Sequence, residues 1–321
     1  MRLAHKNTSD SLYLTAQYQG MKKALILLLL TTSFCAQAQK LSFALSSGYQ
    51  SEDFRWSIAG NTQGSDPNVY SELKWKNLAG AVLGAEADWN FWKKLHVRSS
   101  YSRMFISSGS VTDMDYQGDN RTNRIYYGAF DANKGNTFSW RTTLEDDIWS
   151  SGLFTLTALL GYTLHKQSLF LLSADTTGSA AGLRSTYDTK YEGLVAGLRG
   201  KLLIGNSCSL EASFLYDLVS YRGQADWNLI ATFQHPLSFE DKANGFNLEG
   251  SLRFSYFLKT KMDPGKWAFF LSGNILHSET DHGTDWLYMQ NGQNVPTQFN
   301  GAVRDYIRAG AGVRLLFGSH R

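Results

Sequence analysis

The sequence predicts an all-β chain, a ten-stranded antiparallel transmembrane β-barrel, on three observations. Side chains alternate between apolar and polar in ten separate segments, the connections between segments alternate short and long, and the polar faces carry charges. Past the N-terminal leader no stretch has the length and apolarity of a spanning helix, and mean hydropathy is negative. The membrane signal therefore resides in the strands alone.

The chain opens on a polar stretch, residues 1–20, followed by Met21-Lys22-Lys23, an apolar run from Ala24 to Leu30 and the small-residue site Ala36-Gln37-Ala38. A positive region, a short apolar region and a small-residue site in that order make a cleavable secretory signal. The expected organisation is a leader and signal peptide at 1–38, with translation starting at Met21 and cleavage before Gln39, and a single barrel domain at 39–321. The leader holds Arg2, Lys6, Lys22, Lys23 and Asp10, so the totals of 31 basic and 28 acidic residues fall to 27 of each. A neutral mature chain offers nucleic acid nothing to bind. Cys35 belongs to the leader and follows Phe34, where a lipid anchor requires a small residue, which leaves Cys208 without an internal disulfide partner. No Cys or His cluster has metal-ligand spacing and no glycine-rich phosphate loop follows a strand, so neither metal nor cofactor is expected.

The strand segments fall at about 41–54, 70–89, 95–116, 137–149, 153–168, 187–203, 208–228, 244–258, 267–280 and 304–317. Alternation is plain in the fifth, where Phe154, Leu156, Ala158, Leu160, Tyr162 and Leu164 share a face opposite Thr155, Thr157, Gly161, Thr163 and His165. It recurs at 246–256 and at 307–317. Short connections at 91–94, 150–152, 205–207 and 259–266 alternate with long ones at about 55–69, 117–136, 169–186, 229–243 and 281–303. That asymmetry is the outer-membrane pattern, and it places the long loops outside the cell. A soluble sandwich or lipocalin-like barrel would alternate too. It would then have to bury Arg141, Glu145, Asp147, Arg199, Lys201, Glu211, Asp217, Glu249, Arg253 and Arg314 on one face, which a hydrated lumen accommodates. Trp75, Trp89, Trp92, Trp140, Trp149 and Trp267, near strand ends, suit interfacial girdles, and Gly312 to Phe317 resembles the terminal strand of such barrels. In the seventh segment the apolar set moves from Leu210, Ala212, Phe214, Tyr216 and Leu218 to Val219, Tyr221, Ala225 and Trp227. This predicts a β-bulge near Leu218 that turns Asp226 into the barrel mouth.

Two spots could carry chemistry. Asp113 and Asp115 alternate with Met114 and Tyr116, so both carboxylates project from one face, as a pair must to share a proton or polarise one water. Asp-x-Asp is also common in turns, where Asp is favoured for its backbone geometry. The second spot is Asp226 with Asn228 at the end of the seventh strand.

Ser71 to Lys76, Val111 to Tyr116 and Phe214 to Asp226 resemble the corresponding pieces of the omptins, ten-stranded outer-membrane proteases. The string from Asp113 to Arg121 is similar to omptin-like barrels of the Protochlamydia outer membrane protein type. In omptins an Asp pair faces an Asp-x-His pair across a groove, and a water between them attacks the peptide. The resemblance implies that Asp113 and Asp115 match the first pair and Asp226 the Asp of the second, while Asn228 stands where the His belongs. An amide has no basic lone pair near neutral pH, and loss of a positioned base costs about 10²- to 10⁴-fold in rate. His277 and His282, at the outer end of the ninth strand, are candidate substitutes. The expectation is a surface-exposed binding or structural barrel of the outer membrane without omptin-type proteolysis. Its partners would be membrane lipid, lipopolysaccharide and an extracellular peptide or protein ligand. The alternatives are an endopeptidase with a rearranged Asp113, Asp115 and Asp226 site, and a narrow pore plugged by inward charges.

Overall fold

The computed structural model describes residues 40–173, 181–258 and 267–317; the leader at 1–38 and the connection at 259–266 lie outside them. The strands are β1 (Lys40–Ile58), β2 (Ser71–Trp92), β3 (Leu95–Gly118), β4 (Thr122–Asp131), β5 (Gly135–Ser151), β6 (Phe154–Leu172), β7 (Arg184–Ile204), β8 (Cys208–Asp226), β9 (Phe239–Leu258), β10 (Trp267–Thr280), β11 (Gly283–Tyr288) and β12 (Asn294–Phe317). Their ladders are antiparallel, and β1 pairs with β12 over most of its length, which closes the sheet into a ring with no free edge around the barrel body.

Among the described residues twelve strands make ten staves. Both β4 and β5 pair with β3 and β6, and both β10 and β11 pair with β9 and β12, so each couple is one broken stave. The expected count of ten therefore holds for the ring. The expected loop at 117–136 does not: β3 and β4 form a hairpin through a 3-10 turn at Asp119–Arg121. Asn120, Arg121 and Asn123 there adopt positive φ of 56°, 63° and 49°. Asn68 holds the tip, its backbone N–H donating to Asp119 (2.8 Å) and its side-chain oxygen accepting from the Asn120 N–H (2.8 Å). The segment from Gln117 to Arg124 is polar on both faces, so period two could not reveal it. Likewise β9, β11 and β12 extend into stretches read as loops at 229–243 and 281–303.

Side-chain environment divides the barrel into two storeys. In the storey toward the short turns, the outer face is greasy: Leu45, Leu83, Leu160, Leu194, Leu198, Phe214, Leu218, Leu252, Leu271 and Ile307 are exposed there. Water would not support such a band, and lipid does. Trp89, Trp92, Trp149 and Trp267 ring its turn end, as expected of a girdle, whereas Trp75 is wholly buried and belongs to no girdle. Inside this storey the charges pair across the lumen. Glu86 on β2 accepts from Arg253 on β9 (2.9 and 3.1 Å) and from Arg314 on β12 (2.6 Å). Arg98 on β3 meets Asp88 (2.7 Å) and, across the lumen on β8, Glu211 (3.3 Å). Arg141 on β5 reaches Glu249 (2.9 Å), and Arg199 pairs with Glu145.

In the storey toward the long connections the arrangement is reversed. The inside is a continuous apolar core of Phe54, Trp56, Leu73, Trp75, Tyr187, Tyr221, Phe239 and Phe299 with their neighbours. The outside is polar, with Asp53, Arg55, Asp188, Lys190, Ser220, Arg222, Lys242, His277, Glu279 and Asp305 facing water. This reversal corrects the reading of β8. No bulge interrupts it at Leu218, since Leu218 and Val219 pair in sequence with Leu194 and Gly193 on β7 and with Phe246 and Gly245 on β9. Odd residues point inward from Ser209 to Ala225; what changes at Leu218 is the surroundings of each face, lipid giving way to water outside and a wet lumen to a dry core inside. The phase does shift between β2 and β3, at Lys76 to Gly80. There Asn77 adopts φ 54°, Lys76 pairs with Asp53 (2.7 Å) and the Asn77 N–H donates to Asp53 (2.8 Å). Below that bulge even residues of β2 face inward; above it Ser71, Leu73 and Trp75 do.

Candidate functional site

The floor of the site is the aromatic core. Tyr187 stacks between Trp56 (5.3 Å between ring centroids) and Trp75 (5.7 Å), and Tyr221 stacks on Phe299 (5.5 Å). These bulky rings project inward from β1, β2, β7, β8 and β12 and pack together as one apolar cluster. Above them lies a cavity of about 850 Å³, the size of a small-molecule site. Its wall is largely apolar, with Leu73, Phe130, Leu171, Trp227, Ile230 and Phe239 among the lining residues.

Asp113 and Asp115 both line this cup, as the alternation on β3 requires. They lie above the greasy band, where β3 leaves the barrel body to pair with β4 alone on that side. Burial, and then the neighbouring Asp115 charge, raise the Asp113 carboxyl to about 7; burial also raises Asp115, against a hydrogen bond from Ser71. A carboxyl that gives up its proton near neutrality can act as an acid or base or as a titratable binding group.

Asp226 and Asn228 are placed differently from the expectation. Because β8 keeps its phase, Asp226 faces the outer side of the wall and does not line the cup. Its carboxylate receives His235 Nδ1 at 2.6 Å, a partner from the β8–β9 connection that sequence spacing did not single out. Asn228 is a structural tie. Its side-chain oxygen accepts from the Arg184 N–H (2.9 Å) and the Ser185 hydroxyl (3.3 Å), and its amide donates to the Gly182 carbonyl (2.9 Å). Neither His277 nor His282 lines the cup, and His277 is engaged on the outer wall with Asp305 (2.7 Å). The cup thus gathers Asp113 and Asp115 but not Asp226, its His235 partner, or Asn228.

Sequence reasoning missed a second carboxyl pair. Asp241 on β9 and Asp285 on β11 are direct cross-strand partners, 0% and 2% exposed, and Asp285 lines the cup. Tyr187 donates to Asp241 (2.6 Å) while hydrogen-bonded to Tyr221 (2.7 Å), and Thr297 donates to Asp285 (2.8 Å). Burial raises both carboxyls, Asp241 further through the charge of Asp285, so the pair holds a proton where an isolated Asp would not. Both residues fall in stretches read as loops. The usable signal was the inward parity of Asp241 with Phe239, two residues before it.

The sequence profile of the Protochlamydia outer membrane protein family matches residues 44–302. No curated protein sequence matches the chain. The outer membrane protease OmpT of Escherichia coli superposes with a TM-score of 0.68 at 12% identity, covering 87% of this chain and 97% of OmpT. At that identity the likeness is one of fold. The translocator domain of the autotransporter NalP from Neisseria meningitidis matches at 13% identity over 94% of this chain and 97% of its own, with a TM-score of 0.38. For the outer membrane protein OprG of Pseudomonas aeruginosa the values are 8%, 87%, 96% and 0.38.

Proposed function

The chain belongs to the Protochlamydia outer membrane protein family, and we propose that this outer-membrane barrel is a cell-surface binding protein whose site is the cup, without peptide hydrolysis of the omptin kind. One observation carries the reading: the cup holds the Asp113 and Asp115 pair over an apolar wall, while Asp226 lies outside it and Asn228 is bound into the backbone. A water poised between two opposed pairs needs both of them in one groove.

A row of cations supports lipopolysaccharide as the surrounding partner and the long-loop end as extracellular. Lys166, Lys190, Arg222 and Lys242 are successive cross-strand partners on β6, β7, β8 and β9, on the outer face just above the greasy band. Glu192 and Glu240 neutralise part of the row, yet four cations side by side remain unfavourable until anionic headgroups meet them.

Refolded with lipopolysaccharide, the protein is expected to leave a library of dibasic and mixed peptides intact. Asn228→His should leave it equally inert, because the new imidazole would replace a backbone tie and still lack a partner inside the cup. Sustained cleavage abolished by Asp113→Ala would sink the proposal. Planar-bilayer recording should show no steady current, since the packed apolar cluster stands above the paired lumen charges; a stable open channel would favour the pore instead.

A further inference from the structure

In the membrane-spanning storey Glu86, Asp88, Glu145, Glu211 and Glu249 each have an arginine partner, and Asp147 has His96. The cup breaks that rule. Among the described residues its charged lining is Asp66, Asp113, Asp115 and Asp285, with no Lys, Arg or His. Ser71 on β2 and the Tyr126 phenol on β4 lie against Asp113 and Asp115, and Tyr70 and Asp66 from the β1–β2 connection, Asp285 on β11 and Thr297 on β12 share the lining with them. Lys74 on β2 and Arg121 in the hairpin are held by Glu72 (both 2.7 Å), whose parity on β2 is opposite to that of the cup-lining Ser71 and Leu73, and Arg124 lies over the Tyr127 ring.

Two polar atoms of the lining are also unmatched. Among the described residues Asp113 Oδ1 has no hydrogen-bond partner, and Trp56, only 4% exposed and lining the cup, has none for its indole N–H. A low-dielectric chamber with carboxyls of one sign and no counter-charge must either keep them protonated or take up a cation. The apolar and aromatic wall selects among cations: a hydrated metal ion gains nothing from Leu73, Phe130, Trp227 and Phe239, whereas an organic cation gains both burial and aromatic faces.

Resting on the reading that the cup is a binding site, we propose that its ligand is a small organic cation, an ammonium group on an aromatic or branched aliphatic body, with the ammonium at Asp113 and Asp115 and the body against the apolar wall. Because ionisation of Asp113 near neutrality adds its charge to the site, binding strengthens as pH rises through neutrality.

The test uses the refolded barrel with lipopolysaccharide and two probes of one shape class, (1-naphthylmethyl)trimethylammonium, charged at every pH, and neutral 1-naphthylmethanol. Calorimetric titration at pH 8.5 should show the ammonium binding about tenfold more tightly than the alcohol, a modest value for one desolvated cation contact. At pH 5, where Asp113 is protonated, the preference should shrink, and Asp113→Asn with Asp115→Asn should abolish it at pH 8.5. Equal affinity of both probes for the unsubstituted protein at pH 8.5 overturns the cation assignment but leaves the cup as a binding site. Binding of neither probe overturns both.

Discussion

Replacing Glu86 with alanine is expected to lower the free energy of unfolding by about 3–5 kcal/mol, the cost of removing one member of a buried ion network. Glu86 takes hydrogen bonds from Arg253 and Arg314 and lies 3.8 Å from Arg98, so its loss takes from Arg253 and Arg314 their closest carboxylate, leaving Glu211 4.0 Å from Arg253, while Arg98 keeps Asp88 and Glu211. The side chains involved are 11–20% exposed, too enclosed for water to screen the imbalance fully. Glu86→Gln should recover little, because it restores volume and not charge. Lys190→Ala, which breaks an outer-wall pair 40% and 38% exposed, should cost about 0–1 kcal/mol. Urea unfolding in lipopolysaccharide-containing vesicles separates the two. A Glu86→Ala midpoint as close to the unsubstituted protein as that of Lys190→Ala would mean that lipid and strand ladders alone hold the barrel.

That network was legible in the sequence because strand parity is a binary code, and in the spanning storey the code has one meaning: apolar out, charged in. Arg199, Glu211, Glu249 and Arg253 all fall where parity put them. The code loses its meaning where the barrel leaves the bilayer. At Leu218 the apolar residues change parity, which can arise from a bulge that turns the strand or from surroundings that trade places around a strand that does not turn. The ladder contains no bulge, so the second holds, and Asp226 was sent to the wrong side of the wall for that reason. The true bulge at Asn77 left a fainter trace, one Asn able to adopt positive φ amid a mixed stretch. Asp113 and Asp115 share one face, as the alternation requires, because their pairing depends on relative parity, which survives any phase error upstream. The Asp241 and Asp285 pair escapes the pattern because the contact joins β9 to the short strand β11, with both residues in stretches that read as loops.

The same inverted storey sets the pH response. Asp113 holds its proton in the folded barrel to about pH 7, whereas the unfolded chain releases it near pH 4. Between those values the folded state binds more protons than the unfolded one, so the unfolding free energy falls as pH rises and levels off above about pH 7. At about 1.4 kcal/mol per pKa unit the loss from this residue approaches 4 kcal/mol. Asp113→Asn keeps the shape and has nothing to ionise, so it should match the unsubstituted barrel near pH 4 and exceed it in stability at pH 8. Urea midpoints at pH 4, 6 and 8 measure this directly. Curves for the two proteins that stay parallel would show Asp113 ionising as it does in the unfolded chain, and the cup would then be a wetter chamber than its lining implies. If the curves diverge as expected, an organic cation should close the gap at pH 8 and not at pH 4, because a ligand that favours the ionised cup stabilises only the state in which that charge exists.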